Sequence, residues 1–96
     1  MVITFDPAKN ARNIETRGLS FERVAEFDWN AALLVEDTRR DYGEKRVRVF
    51  GFLDGRLHIA VVTPRGEDLR VISLRRASQK EEKLYEKEKG RPGRTP

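Results

Sequence analysis

The residues best suited to chemistry lie near the end of the chain, where Arg70, Ser73, Arg75 and Arg76 fall within one short segment. Read as a strand with its period of two, Arg70, Ile72, Leu74 and Arg76 share one face, and Leu69, Val71, Ser73 and Arg75 the other. A guanidinium offers a rigid fork of donors that matches phosphate and stays charged. Two or three of them over a sheet could hold an RNA phosphate and stabilise charge that develops on it. The alternative use of the same arginines is ordinary ion pairing with Glu36, Asp37, Glu67 or Glu81. A second polar stretch, residues 36–46, contains Glu44, a candidate general base if it faces the same groove as the arginines. A third set is Lys9, Arg12 and Arg17 on a predicted helix. Glu36 and Asp37 could be read as paired carboxylates, but no further ligands follow at a metal-binding spacing. His58 lies between apolar neighbours and reads as a packed histidine. Ser73 has no base beside it in sequence.

These side chains need elements to position them. Residues 1–5 read as a short strand. Asp6 and Pro7 form a helix start, a capping side chain followed by a residue pre-set for the first helical position. Ala8, Ala11 and Ile14 continue at helical spacing towards a stop at Gly18. Ser20 can cap a second short helix with Phe21, Val24 and Ala25 on one face. The period then changes. Residues 32–36 form an apolar run, and residues 45–53 alternate, with Val47 and Val49 on one face and Arg46 and Arg48 on the other. Asp54-Gly55 predicts a type I′ turn, so residues 56–63 return antiparallel. Residues 63–66, Thr-Pro-Arg-Gly, predict another turn before a strand over 69–75. Ser78 and Glu81 fit a capping box that opens a helix to Lys89, with Leu84 and Tyr85 as its buried residues. The expectation is an α+β domain over residues 1–89, with N-terminal helices, an antiparallel meander and a C-terminal helix, followed by a flexible tail at 90–96.

Composition bounds the answer further. The chain has 96 residues, enough for one core, and no cysteine, which excludes disulfides and thiolate metal sites. With a single His, neither a histidine-rich zinc centre nor a spare catalytic triad is expected. No apolar run is long enough to span a bilayer and no signal peptide is recognisable, so a cytoplasmic protein without a metal or cofactor is expected. Twenty Lys and Arg against sixteen Asp and Glu give a formal charge of +4, which favours a polyanionic or acidic partner.

At several of these residues the sequence resembles the BrnT toxin family of bacterial type II toxin–antitoxin systems. The landmarks are Phe5-Asp6-Pro7-Ala8-Lys9 with Asn13, and Gly18-Leu19-Ser20-Phe21. They continue through residues 36–44 with Arg46, Thr63-Pro64-Arg65-Gly66, residues 70–77, Glu81 and Tyr85. The resemblance implies a RelE-like α+β fold and a metal-independent ribonuclease that inhibits translation. It implies neutralisation by a BrnA-like ribbon-helix-helix antitoxin, in a complex with two copies of each chain that contacts operator DNA only through the antitoxin. Carried onto this sequence, it gives Glu44, Arg46, Arg75 and Arg76 as catalytic residues, and Lys9, Arg17 and Arg70 as RNA-binding ones. One departure stands out: family members usually carry Lys-His before the glycine that ends the first helix, where this chain has Thr16-Arg17. The competing readings are a weakened or inactive member that binds its antitoxin and acts as co-repressor, and a stand-alone nucleic-acid-binding domain. The eight aromatics fall mostly at core positions, which argues against the latter.

Overall fold

The computed structural model describes residues 2–90, so the expected tail falls, beyond Gly90, outside the described residues. Its elements are β1 (Ile3–Thr4), α1 (Pro7–Arg17), a 3₁₀ segment (Phe21–Glu26), β2 (Leu33–Glu36), β3 (Val47–Leu53), β4 (Arg56–Arg65), β5 (Asp68–Arg76) and α2 (Gln79–Lys89). The strands form one sheet in the order β1-β5-β4-β3-β2. The expected antiparallel meander describes β2 to β5, but the whole sheet is mixed, because β1 runs parallel to β5. The chain has to pass through α1 and the rest of the sheet before it reaches β5, and that long crossover permits a parallel pair.

The turn chemistry acts as read from the sequence at the first hairpin. Asp54 and Gly55 both have positive φ, 52° and 74°, and Leu53 faces Arg56 across them. The second turn lies further along, at Gly66 and Glu67, so Pro64 belongs to β4. Proline is tolerated there because β3 pairs with β4 only as far as Val62, leaving that edge free.

Two apolar clusters hold the sheet from opposite faces. On one, Phe21, Val24 and Phe27 pack against Val49, Ala60, Val62, Val71 and Leu74. Their spacing of three is that of a 3₁₀ turn, which leaves Ala25 exposed rather than on the expected buried face. Gly51 lets the Phe27 ring lie against the strand, and a Cβ there would run into that ring. On the other face, Tyr85 of α2 joins Phe50, Leu57 and Ile59, and its hydroxyl donates to the Ala31 carbonyl at 2.6 Å. Leu84, expected to be buried beside it, is exposed.

α1 buries none of its residues, including Ala8, Ala11 and Ile14. Two asparagines tether it instead. Asn10 Oδ1 accepts from the Phe21 backbone N–H at 2.7 Å, and Asn13 Nδ2 donates to the carbonyls of Leu19 and Leu74 at 2.8 and 3.0 Å. Polar tethers to main chain therefore hold α1 in place without a buried apolar stripe.

Candidate functional site

A β-bulge decides which arginines meet. Val61 faces Ser73 but Val62 faces Val71, so Ile72 is an extra residue on β5. An extra residue reverses the alternation on one side of it. Arg70 opposite Thr63, Ser73 opposite Val61 and Arg75 opposite Ile59 therefore share the face that α2 partly covers. Arg76, opposite His58, is out of step with these three by register and stands exposed at the end of β5, beside Phe52, Leu57 and Tyr85 of the α2 side. The expected pairing of Arg70 with Arg76 is thus replaced by Arg70 with Ser73 and Arg75.

β3 contributes to the same face. Arg48 lies opposite Val61 and Phe50 opposite Ile59, and alternation puts Arg46 two residues before Arg48 on that side. The rows across the sheet run Arg48, Val61, Ser73 and then Phe50, Ile59, Arg75; Thr63 pairs with Arg70 at the end towards Arg46, beyond the last β3–β4 pair. With strands about 4.8 Å apart, the outer members of each row stand about 10 Å from each other. α2 covers Phe50 and Ile59 of the last row, whereas Arg46, Arg48, Arg70, Ser73 and Arg75 remain half-buried.

The loop between β2 and β3 closes over the top of this face. The Asp37 N–H donates to the Arg46 carbonyl at 2.7 Å, continuing the ladder by one pair. The buried Asp37 carboxylate accepts two bonds from the Arg39 guanidinium, both at 2.8 Å, and one from the Tyr42 hydroxyl at 3.1 Å. The Arg39 hydrogen bonds hold the Asp37 carboxyl well below the usual carboxylate range against the opposing effect of burial, and they raise Arg39 in turn. Glu36 is exposed while Asp37 is buried, so the two adjacent carboxylates do not form a paired site. Tyr42 is stacked beneath Arg46, whose Cζ lies 4.1 Å from the ring centre.

Glu44 stands at the rim of the arginine face. Thr63 Oγ1 donates to its Oε2 at 3.3 Å, Arg65 donates to Oε1 at 3.1 Å, and Arg46 Nε approaches to 3.7 Å. Arg75 meets a second carboxylate: its two terminal nitrogens donate to the two oxygens of Glu81 at 2.7 and 2.8 Å. Glu81 also closes the α2 capping box, accepting from the Ser78 N–H at 2.9 Å. Chiefly through Arg75, the Glu81 carboxyl is held down to about 2, and the Arg75 guanidinium is raised by the same bonds. Arg39 is close enough for its charge to oppose that rise at Arg75. The loop and β5 thus contribute to one electrostatic neighbourhood.

The remaining expected residues lie around this face. Lys9 and Arg17 line a groove of 260 Å³ with Arg12, Asn13, Ile72 and Ser73, so Ser73 links the α1 groove to the sheet face. Arg76 is exposed and lines a separate pocket with Arg56, Phe52 and Glu82. His58 is buried, with Nδ1 2.8 Å from the Arg56 carbonyl oxygen, as a packed histidine. Arg39, Tyr42 and Arg48 belong to the site and were not singled out by sequence reasoning. The spacing of Arg48 two residues after Arg46 was the available signal, whereas nothing local marks that Arg39 comes near Arg75. Among the described residues no three His, Cys, Asp or Glu side chains come together as metal ligands would. Nor is any helix among them long and apolar enough to cross a membrane.

A half-open sheet face with guanidinium groups on β3 and β5 and a carboxylate at its rim can bind a phosphodiester and place a proton acceptor near it. A search of curated proteins returns no significant match. The model of one family, described as the ribonuclease toxin BrnT of type II toxin–antitoxin systems, matches residues 5–81. That span holds both tethers of α1, the whole sheet from β2 to β5, and every residue from Lys9 to Glu81 on which the site is built; the chain belongs to the BrnT family of ribonuclease toxins.

Proposed function

We propose that this chain is a metal-independent endoribonuclease of the mRNA-interferase kind, which cleaves RNA on the arginine-bearing face and so inhibits translation. The observation that carries this reading is the convergence of Arg46, Arg70 and Arg75 on one face with Glu44 at its rim. The RNA supplies its own nucleophile. Glu44 takes the proton of a ribose 2′-OH, the 2′-oxygen forms a bond to the adjacent phosphorus, and the bond from phosphorus to the 5′-oxygen breaks. The leaving 5′-oxygen gains a proton, returned by the protonated carboxyl or by water, and the other fragment ends in a 2′,3′-cyclic phosphate. Arg75 and Arg46 neutralise the extra negative charge on the phosphorane, and groups of that kind contribute on the order of tenfold to a thousandfold in rate. Lys9, Arg17 and Arg70 bind flanking phosphates without reading bases. Arg76, exposed at the end of β5 next to Arg75, offers a further phosphate contact beyond the arginine face.

A type II system implies a protein antitoxin as partner. We take it to be a BrnA-like ribbon-helix-helix protein, assembled as two toxins with two antitoxins, with operator DNA contacted through the antitoxin and the complex residing in the cytoplasm. We take the mixed sheet with α2 packed on one face as a RelE-like architecture.

A second reading, an inactive antitoxin-binding co-repressor, draws on two observations: Arg75 is already clamped by Glu81, and Arg17 stands where the family usually has histidine. Expression of the chain alone separates the two. Growth arrest with loss of intact RNA, relieved by the antitoxin and abolished by Arg75→Ala, supports the enzyme. Normal growth together with a stable antitoxin complex supports the co-repressor.

A further inference from the structure

Arg48 has no place in the mechanism above, yet its environment is unusual among the arginines of this face. Its stem lies in register between Val35 of β2 and Val61 of β4, so apolar side chains flank it on both sides. Its Nε is shut off from water and has no hydrogen-bond partner. Arg39, Arg46, Arg65 and Arg75 each face a carboxylate within 4.0 Å, but among the described residues none stands at Arg48. Among the described residues its compensation is the Phe50 ring, 5.9 Å from Cζ, at the outer reach of a cation–π contact. A half-buried guanidinium with a dry, unsatisfied N–H costs free energy in the folded chain. A valine like its two flanking neighbours would avoid that cost. The group is instead poised for an acceptor that arrives from outside.

Two further observations indicate what that acceptor is. Arg46, two residues earlier on the same face, also has an Nε that is buried without a hydrogen bond, 3.7 Å from Glu44. Across Val61 from Arg48 lies Ser73, a small polar residue shared with the groove that Lys9 and Arg12 line. An anion over this middle row meets an unpaired guanidinium on β3 and has no carboxylate beneath it. An extended polyanion can continue from there across β4 to the α1 groove.

We propose that Arg48 forms a phosphate subsite, which binds an RNA backbone phosphate next to the one being cleaved. This rests on the ribonuclease reading of the same face. Arg48 acts on substrate binding alike in the ground and transition states, so its loss raises KM more than it lowers kcat.

The test compares wild type with Arg48→Gln and Arg48→Lys, using an RNA oligonucleotide made non-cleavable by 2′-O-methylation, over a series of salt concentrations. The same three proteins are assayed for cleavage of the unmodified RNA and for thermal stability. The expected result for Arg48→Gln is binding weakened about three- to tenfold and a salt slope of log K smaller by about one, as for loss of one phosphate contact. KM should rise by a similar factor and kcat change less, with Arg48→Lys intermediate. The melting temperature of Arg48→Gln should equal or exceed that of wild type, because an unsatisfied charge has been removed. Unchanged binding and salt slope in Arg48→Gln, with wild type still cleaving, overturns the subsite and leaves the ribonuclease reading standing. A drop in melting temperature with RNA binding retained also overturns it, since Arg48 would then be structural. Wild type that neither binds nor cleaves RNA overturns both.

Discussion

Arg75 donates both terminal nitrogens to Glu81, so a phosphate entering the site finds a carboxylate already in place. The clamp fixes the guanidinium plane before substrate arrives, and exchanging one oxyanion for another needs little rearrangement of the arginine. Its removal should therefore cost rate more than it costs folding. Arg75→Ala is expected to lower kcat/KM by on the order of a hundredfold, measured on a defined RNA. Glu44→Gln keeps acceptor capacity towards Thr63 but loses the ability to take a proton. It should lower kcat by about a hundredfold or more while leaving RNA affinity unchanged or slightly higher. Comparing KM and kcat for the two variants separates the binding role from the proton-transfer role. His58→Gln, at a buried histidine on the reverse face, should leave the catalytic pH profile unchanged.

At the scale of elements, α2 is joined to the site through a single residue, because Glu81 both closes its cap and holds Arg75. The Glu81 carboxyl titrates near 2 in the folded chain, below its ordinary value of 4.5. A depressed carboxylate stabilises the fold above its unfolded pKa, and that contribution disappears as pH falls from about 5 towards 2. Glu81→Gln should cost about 1–2 kcal/mol at neutral pH, with the difference from wild type vanishing near pH 2 in denaturant melts. On the other face, Gly51→Ala drives a methyl group into Phe27 and should cost about 1–3 kcal/mol, again by denaturant melts.

The same elements show how far sequence reasoning reaches. Asp54-Gly55 was legible because both turn positions demand positive φ and few residue pairs provide it. The capping box at Ser78 was legible for a similar reason, as a local bond between residues three apart. The bulge at Ile72 was not, since an apolar residue inside a strand pattern carries no mark of being unpaired, and that one residue decides which arginines meet. Nor was the burial of Phe21, Val24 and Phe27 at intervals of three, where a helical period predicted Ala25. The exposure of α1 was hidden because Asn10 and Asn13 make tertiary bonds to backbone groups distant in sequence.

For the whole molecule, the formal +4 gains a location. Arg46, Arg48 and Arg70 lie on the sheet face, and Lys9, Arg12 and Arg17 line the α1 groove, to which Ser73 also contributes. The resulting field should make RNA association fall steeply with added salt, and cleavage below saturation should follow it. The sharpest test of the central claim is the chemistry of the ends produced when the purified chain cuts RNA in the presence of a metal chelator. Fragments bearing a 2′,3′-cyclic phosphate and a 5′-hydroxyl, formed at an undiminished rate and absent when the cleavage site carries a 2′-deoxyribose, are the expected result. Fragments with 5′-phosphate and 3′-hydroxyl ends, or cleavage abolished by the chelator, would contradict it.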